Sequence, residues 1–127
     1  MALALFTACS DATGPTSPIA AYALTSVDAK PLPATMYADT GYSLVVTAGA
    51  ITLTADNKFT TSVTTRETVE GNISTYVDVG TGTWEQLSSG AAITLKPTGG
   101  TPLPAALSGT RLTVTWSDGV FIYSRAP

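Results

Sequence analysis

Apolar and hydroxylated side chains alternate one by one along most of this chain, and that period of two limits its fold more than anything else. In Ile51-Thr52-Leu53-Thr54-Ala55 one face is apolar and the other carries hydroxyls. Phe59, Thr61 and Val63 continue the pattern. Ile73, Thr75, Val77 and Val79 repeat it, as do Ile93 with Leu95, Leu112 with Val114 and Trp116, and Val120 with Ile122. Successive side chains of a strand point to opposite faces, so these segments are strands with one dry and one wet face. Strands of that kind belong to antiparallel sheets. Threonine is the commonest residue, which favours strands, and no apolar run keeps helical spacing for three turns.

The alternating runs are separated by turn residues. Asp56-Asn57, Gly71-Asn72, Ser89-Gly90 and Asp118-Gly119 each stand between two runs, as hairpin loops do. The pattern predicts strands near 20–27, 34–38, 42–47, 50–55, 59–68, 73–87 (bent at Gly80-Thr81-Gly82), 91–96, 110–116 and 120–125. The segments Pro31-Leu32-Pro33 and Pro102-Leu103-Pro104 read as rigid approaches to strands, because proline removes a ladder donor. A meander of eight or nine strands removes its two edges by closing, so the expected fold is an all-β, antiparallel up-and-down barrel of about eight strands. A β-sandwich is the alternative.

Chemistry-bearing residues are few. The chain has no His, which removes Ser-His-Asp and Cys-His catalysis and the commonest transition-metal ligand. No glycine-rich phosphate loop precedes a helix. Glu67 and Glu70 flank a hairpin and read first as a solvated strand end, with an acid–base pair as the sharper alternative. Asp56 and Asn57 lack the alternating ladder of a calcium loop. These absences point away from catalysis and imply no cofactor and no metal site. The net charge of −3, without a Lys/Arg cluster, points away from nucleic acid as a partner.

The aromatics are the better lead. Tyr76 shares its strand face with Ser74 and Asp78, and Trp84 shares its face with Gly82 and Gln86. Both project among small or polar neighbours, which makes Trp84 and Tyr76 the candidate ligand-binding residues, with core packing as the plainer role for Trp84. Trp116 aligns with Val114 and Leu112 and reads as core. An eight-stranded barrel either fills its interior with side chains or holds one small ligand. A cavity of at least about 300 Å³ lined by apolar and aromatic groups favours the ligand.

The N-terminus carries a second signal. Residues 1–9 end in Phe6-Thr7-Ala8-Cys9, which resembles the bacterial lipoprotein box: an aliphatic position, two small residues and a lipid-accepting cysteine. Phe6 stands where Leu is usual. The segment is too short to span a bilayer and has no basic n-region, so the export signal is expected to begin upstream of Met1. Residues 10–18 are rich in Ser, Thr, Gly and Pro and read as a flexible tether; residues 19–127 form the barrel domain. With Cys9 spent on lipid, the domain has no thiol and no internal disulfide. The resemblance implies a membrane anchor through lipidated Cys9. Ser10 after the cysteine implies the outer membrane of the cell envelope.

The domain itself resembles the short lipocalin-like lipoproteins of bacteria. The resemblance covers 22–125 and rests on Tyr22-Ala23-Leu24-Thr25-Ser26-Val27-Asp28, on Gly82-Thr83-Trp84 leading to Ile93-Thr94-Leu95, and on Leu112-Thr113-Val114 with Phe121-Ile122-Tyr123-Ser124-Arg125. In lipocalins a late Arg stacks on the Trp of a first-strand Gly-x-Trp. Here the Gly-x-Trp comes mid-chain, so Tyr22 is the residue placed to receive Arg125. The resemblance implies a small hydrophobic ligand in the barrel, and the alternative is a structural or protein-interaction lipoprotein with a filled barrel.

Overall fold

The computed structural model describes residues 17–87, 91–117 and 119–125. Cys9 and its leader, residues 10–16 of the tether, the Ser89-Gly90 turn and Asp118 lie outside the described residues. Ten strands follow one another: β1 (Ala20–Val27), β2 (Lys30–Pro31), β3 (Ala34–Asp39), β4 (Tyr42–Leu53), β5 (Lys58–Val69), β6 (Asn72–Gln86), β7 (Ala92–Pro97), β8 (Leu103–Ser108), β9 (Arg111–Trp116) and β10 (Gly119–Arg125). From β3 to β10 each strand pairs with the next; β10 then pairs with β1, and β1 with β4. The sheet therefore closes as an eight-stranded, antiparallel up-and-down barrel of β1 and β4–β10, the architecture expected from the alternation.

The closure is partial along the strands. β1 meets β4 only over Ala20–Ala23 and Ala50–Leu53, at what we call the lower end. Towards the upper end they diverge. There β1 pairs with β2 through Ser26 and Val27, and β4 pairs with β3 through Tyr42–Val46. The sequence pattern places a break between 42–47 and 50–55, but the two runs are one strand, with a bulge between Val46 and Ala48. A bulge bends its strand and raises the local twist, which turns the lower half of β4 towards β1. Gly49 makes room at the crossing, since a Cβ there would lie 2.8 Å from Leu24 Cδ2.

Two-residue turns join several strands. Glu70 and Gly71 both have positive φ between the paired residues Val69 and Asn72, so this turn falls one residue earlier than Gly71-Asn72. Asp28 and Ala29 make the same kind of turn between β1 and β2. Asp28 is fastened to β10 twice: its N–H donates to Val120 O, and its Oδ1 accepts from Val120 N, both at 2.8 Å. β2 and β8 are strands that the alternation did not show. In β8, Pro104 precedes the first residue that pairs with β9, Ala105.

One contiguous apolar core fills the barrel below its upper mouth, with Tyr22, Ile51, Leu53, Phe59, Ile93, Leu95, Leu112, Val114 and Tyr123 almost fully buried. At the lower end Tyr22 Oη donates to Pro18 O at 2.7 Å, and the Arg125 guanidinium lies 5.8 Å from the Tyr22 ring centroid. Arg125 Nη1 also donates to Ser17 O at 2.7 Å, so the contact anticipated between Tyr22 and Arg125 is present. Gly82 lets the Phe59 ring and the β7 backbone approach closely: a Cβ there would stand 2.2 Å from Lys96 O and 2.6 Å from Phe59 Cε2. Forcing extra atoms into a packed interior costs about 1–3 kcal/mol. Gly82→Ala should therefore lower the unfolding free energy measured in urea by an amount in that range, whereas an unchanged free energy would show that β6 and β7 are not packed this tightly.

Candidate ligand-binding cleft

The strands of the two halves of the barrel differ in height. β4, β5 and β6 are long, and β6 pairs with β5 from Asn72 to Thr83 but with β7 only from Gly82 to Gln86. The upper parts of β3–β6 thus stand above the rim made by the shorter strands. Between this raised wall and the tip of the β9–β10 hairpin lies an open cleft of about 710 Å³. Its apolar lining comes from Met36, Leu44, Val46 and Val63 on the wall and from Trp116 and Phe121 on the hairpin. The Trp116 and Phe121 rings meet edge to face, 6.2 Å apart.

Alternation along β5 grades this wall from apolar to polar. Phe59, Thr61, Val63, Thr65 and Glu67 share the inner face: Phe59 belongs to the core, and the other four line the cleft on the way to its rim. The matching residues of β6 are Tyr76, Asp78 and Gly80. At Gly80 a Cβ would lie 2.9 Å from Thr61 Oγ1, so the glycine keeps the base of the cleft clear. At the rim, Tyr42 Oη donates to Glu67 Oε2 at 3.0 Å and Tyr76 Oη donates to Glu67 Oε1 at 3.1 Å. Accepting that bond, the Glu67 carboxylate raises the Tyr42 hydroxyl above its ordinary pKa. The Tyr37 ring tilts against Tyr42 with centroids 5.6 Å apart.

The two candidate aromatics of β6 are separated along one face. Tyr76 lines the cleft, but Trp84 lies eight residues further down, in the core. Trp84 Nε1 donates to Thr54 O at 3.0 Å, and Asn57 Nδ2 donates to Trp84 O at 3.2 Å, so this indole ties the β4–β5 turn to β6. Trp116, expected as core, packs against the core and also lines the cleft, because β9 ends at the mouth. Glu67 and Glu70 part company: Glu67 sits between tyrosines on the inner face, and Glu70 occupies a turn. Asp56 accepts the Thr54 hydroxyl, which holds its carboxyl below the usual range, and Asn57 takes the positive φ that completes the turn. Among the described residues no three His, Cys, Asp or Glu side chains gather as metal ligands.

Two buried side-chain atoms, Trp116 Nε1 and Tyr123 Oη, have no hydrogen-bond partner of good geometry among the described residues. Burial pushes the Tyr123 hydroxyl up to about 12, with the nearby Trp116 indole opposing the shift. The folded protein therefore holds this proton more tightly than the unfolded chain, whose tyrosine titrates near 10.0. The stabilisation is fully present below that value and is lost as pH rises towards about 12. Stability measured in urea should fall across this window, and Tyr123→Phe should flatten the fall; an identical fall in the variant would contradict the assignment to Tyr123.

No protein-family profile matches this chain, and no curated protein is similar to it in sequence, so the functional reading rests on the cleft's own chemistry and on the motifs of the chain.

Proposed function

We propose that this chain is a lipid-anchored protein of the bacterial cell envelope, non-catalytic, whose barrel mouth binds a small apolar or amphipathic ligand. The cleft is the observation that carries the reading. Ligand sites are typically concavities of about 300–1,000 Å³, mostly apolar, with a few convergent polar groups. A cleft of about 710 Å³ with Met36, Val46, Val63, Trp116 and Phe121 below and Glu67 with its tyrosines at the rim has that composition. The anchor is supported by Phe6-Thr7-Ala8-Cys9 and the tether that follows, and Ser10 supports the outer membrane as its address. More than one acyl chain on Cys9 would make attachment stable, at about 0.8 kcal/mol for each buried methylene.

A second reading, a structural or protein-interaction lipoprotein with a filled barrel, draws on the free edge of β6. Thr98 N donates to Thr81 O at 2.9 Å, so the odd-numbered residues of β6 direct their backbone groups away from β5. From Ile73 to Val79 those groups meet no neighbouring strand, and Ile73, Val77 and Val79 are exposed on the outer face. Such an edge is a template for strand addition by a partner.

The neutral dye N-phenylnaphthylamine separates the readings. Its fluorescence should rise saturably with the wild-type protein, and Val63→Trp, which sets a bulky ring into the middle of the cleft wall, should weaken the binding. A flat titration of the folded wild-type protein would overturn ligand binding and favour the second reading. In cells, Cys9→Ser should move the protein from the membrane to the soluble fraction; unchanged membrane association would overturn the anchor.

A further inference from the structure

The charges around the cleft are of one sign. Glu67 and Asp78 are the only charged side chains among its described lining residues. The six cationic residues of the chain all stand elsewhere. Lys58 begins β5 at the lower end, and Lys96 pairs with Glu85 at 3.0 Å. Arg111 and Arg125 stand at the lower ends of β9 and β10. Arg66 alternates onto the outer face of β5, and Lys30 donates to Thr35 O at 3.3 Å. Lys30, on β2 at the upper end, is the cation nearest the mouth but does not line the cleft, so a carboxylate or phosphate head seated against the lining meets two anions and no cation there.

The rim is built for the opposite sign. The tyrosine bonds hold both Glu67 oxygens in place, and each oxygen keeps a further acceptor site. Beside the carboxylate stand the rings of Tyr76 and Tyr42, with Tyr37 against Tyr42. Aromatic faces attract ammonium groups, and quaternary ammonium heads are recognised by such rings together with a carboxylate. Below the rim, the wall from Glu67 down to Thr61 runs about 20 Å along β5 at about 3.3 Å per residue, long enough for an alkyl tail against Val46, Val63 and Phe121.

We propose that the cleft selects amphiphiles with a cationic ammonium head and an apolar tail, the head at Glu67 and the tail directed towards Thr61. This rests on the ligand-binding reading above and names its ligand class.

The test is displacement of N-phenylnaphthylamine from the folded full-length domain by dodecyltrimethylammonium, dodecyl maltoside and dodecyl sulfate, each below its micellar concentration. A partly exposed ion pair together with cation–π contact corresponds to roughly a tenfold preference for the cation over the anion. The neutral detergent should fall between them. Glu67→Gln should shrink the preference to within about threefold, read as the ratio of cation to anion displacement within each variant so that any change in dye affinity cancels, and the control Glu85→Gln, which changes net charge equally away from the cleft, should leave it unchanged. Equal displacement by all three detergents, or a preference that survives Glu67→Gln or disappears in Glu85→Gln, would overturn the charge selectivity while ligand binding stands. Absence of any dye binding would overturn both.

Discussion

Everything in this structure depends on a short seam. Residues Ala20–Ala23 and Ala50–Leu53 are where the sheet becomes a barrel. Without that pairing, β1 and β4 would each expose a further edge, and a Thr- and Val-rich sheet with open edges is prone to pair with other chains. The seam forms because the residues around it are small: alanines at 20, 21, 23 and 50, and Gly49 beneath Leu24. It is short because β4 bulges after Val46 and its upper half takes β3 as its neighbour instead. The same bulge that lets the lower end close thus leaves the upper end wide.

The cleft follows from that geometry together with the unequal strand lengths. A barrel of eight equal strands would fill its interior with side chains, as the lower part does here around Tyr22, Phe59 and Tyr123. The long β4–β5–β6 wall continues beyond the shorter strands, so its inner face has no opposite face to pack against over much of its height. Alternation then decides what that face carries. On β5 it passes from buried Phe59 to half-buried Glu67 without changing parity, so one strand face serves as core below and as binding wall above.

This double service explains what the amino-acid sequence made legible and what it hid. The period of two, the hairpin residues and the absence of His were enough for the fold class and for most strands. The bulge at Thr47 was hidden because an extra residue in a strand looks the same as a break between two strands. β8 was hidden because Leu103-Pro104-Ala105 carries a proline, which counts against a strand unless its pairing is known. Trp84 took its plainer role as core, and Trp116 packs against the core but also lines the cleft, because parity reports which face a side chain takes but not its height along the barrel. Trp84 has small and polar neighbours on β6 yet lies deep, whereas Trp116 follows Leu112 and Val114 yet ends its strand at the mouth. Glu67 left a readable trace, a carboxylate in phase with Phe59 and Val63 on the dry face of a strand, but its partners Tyr42 and Tyr76 come from two other strands.

The raised wall of β4–β6 and the β9–β10 hairpin together form the proposed binding site. It is tested most directly by assigned amide NMR spectra of the protein titrated with dodecyltrimethylammonium. Saturable shifts should concentrate at Val46, Val63, Glu67, Tyr76, Trp116 and Phe121, with Tyr22, Leu53 and Trp84 at the lower end unmoved. Shifts spread evenly over the barrel, or confined to the outer face of β6 at Ile73 and Val77, would contradict it.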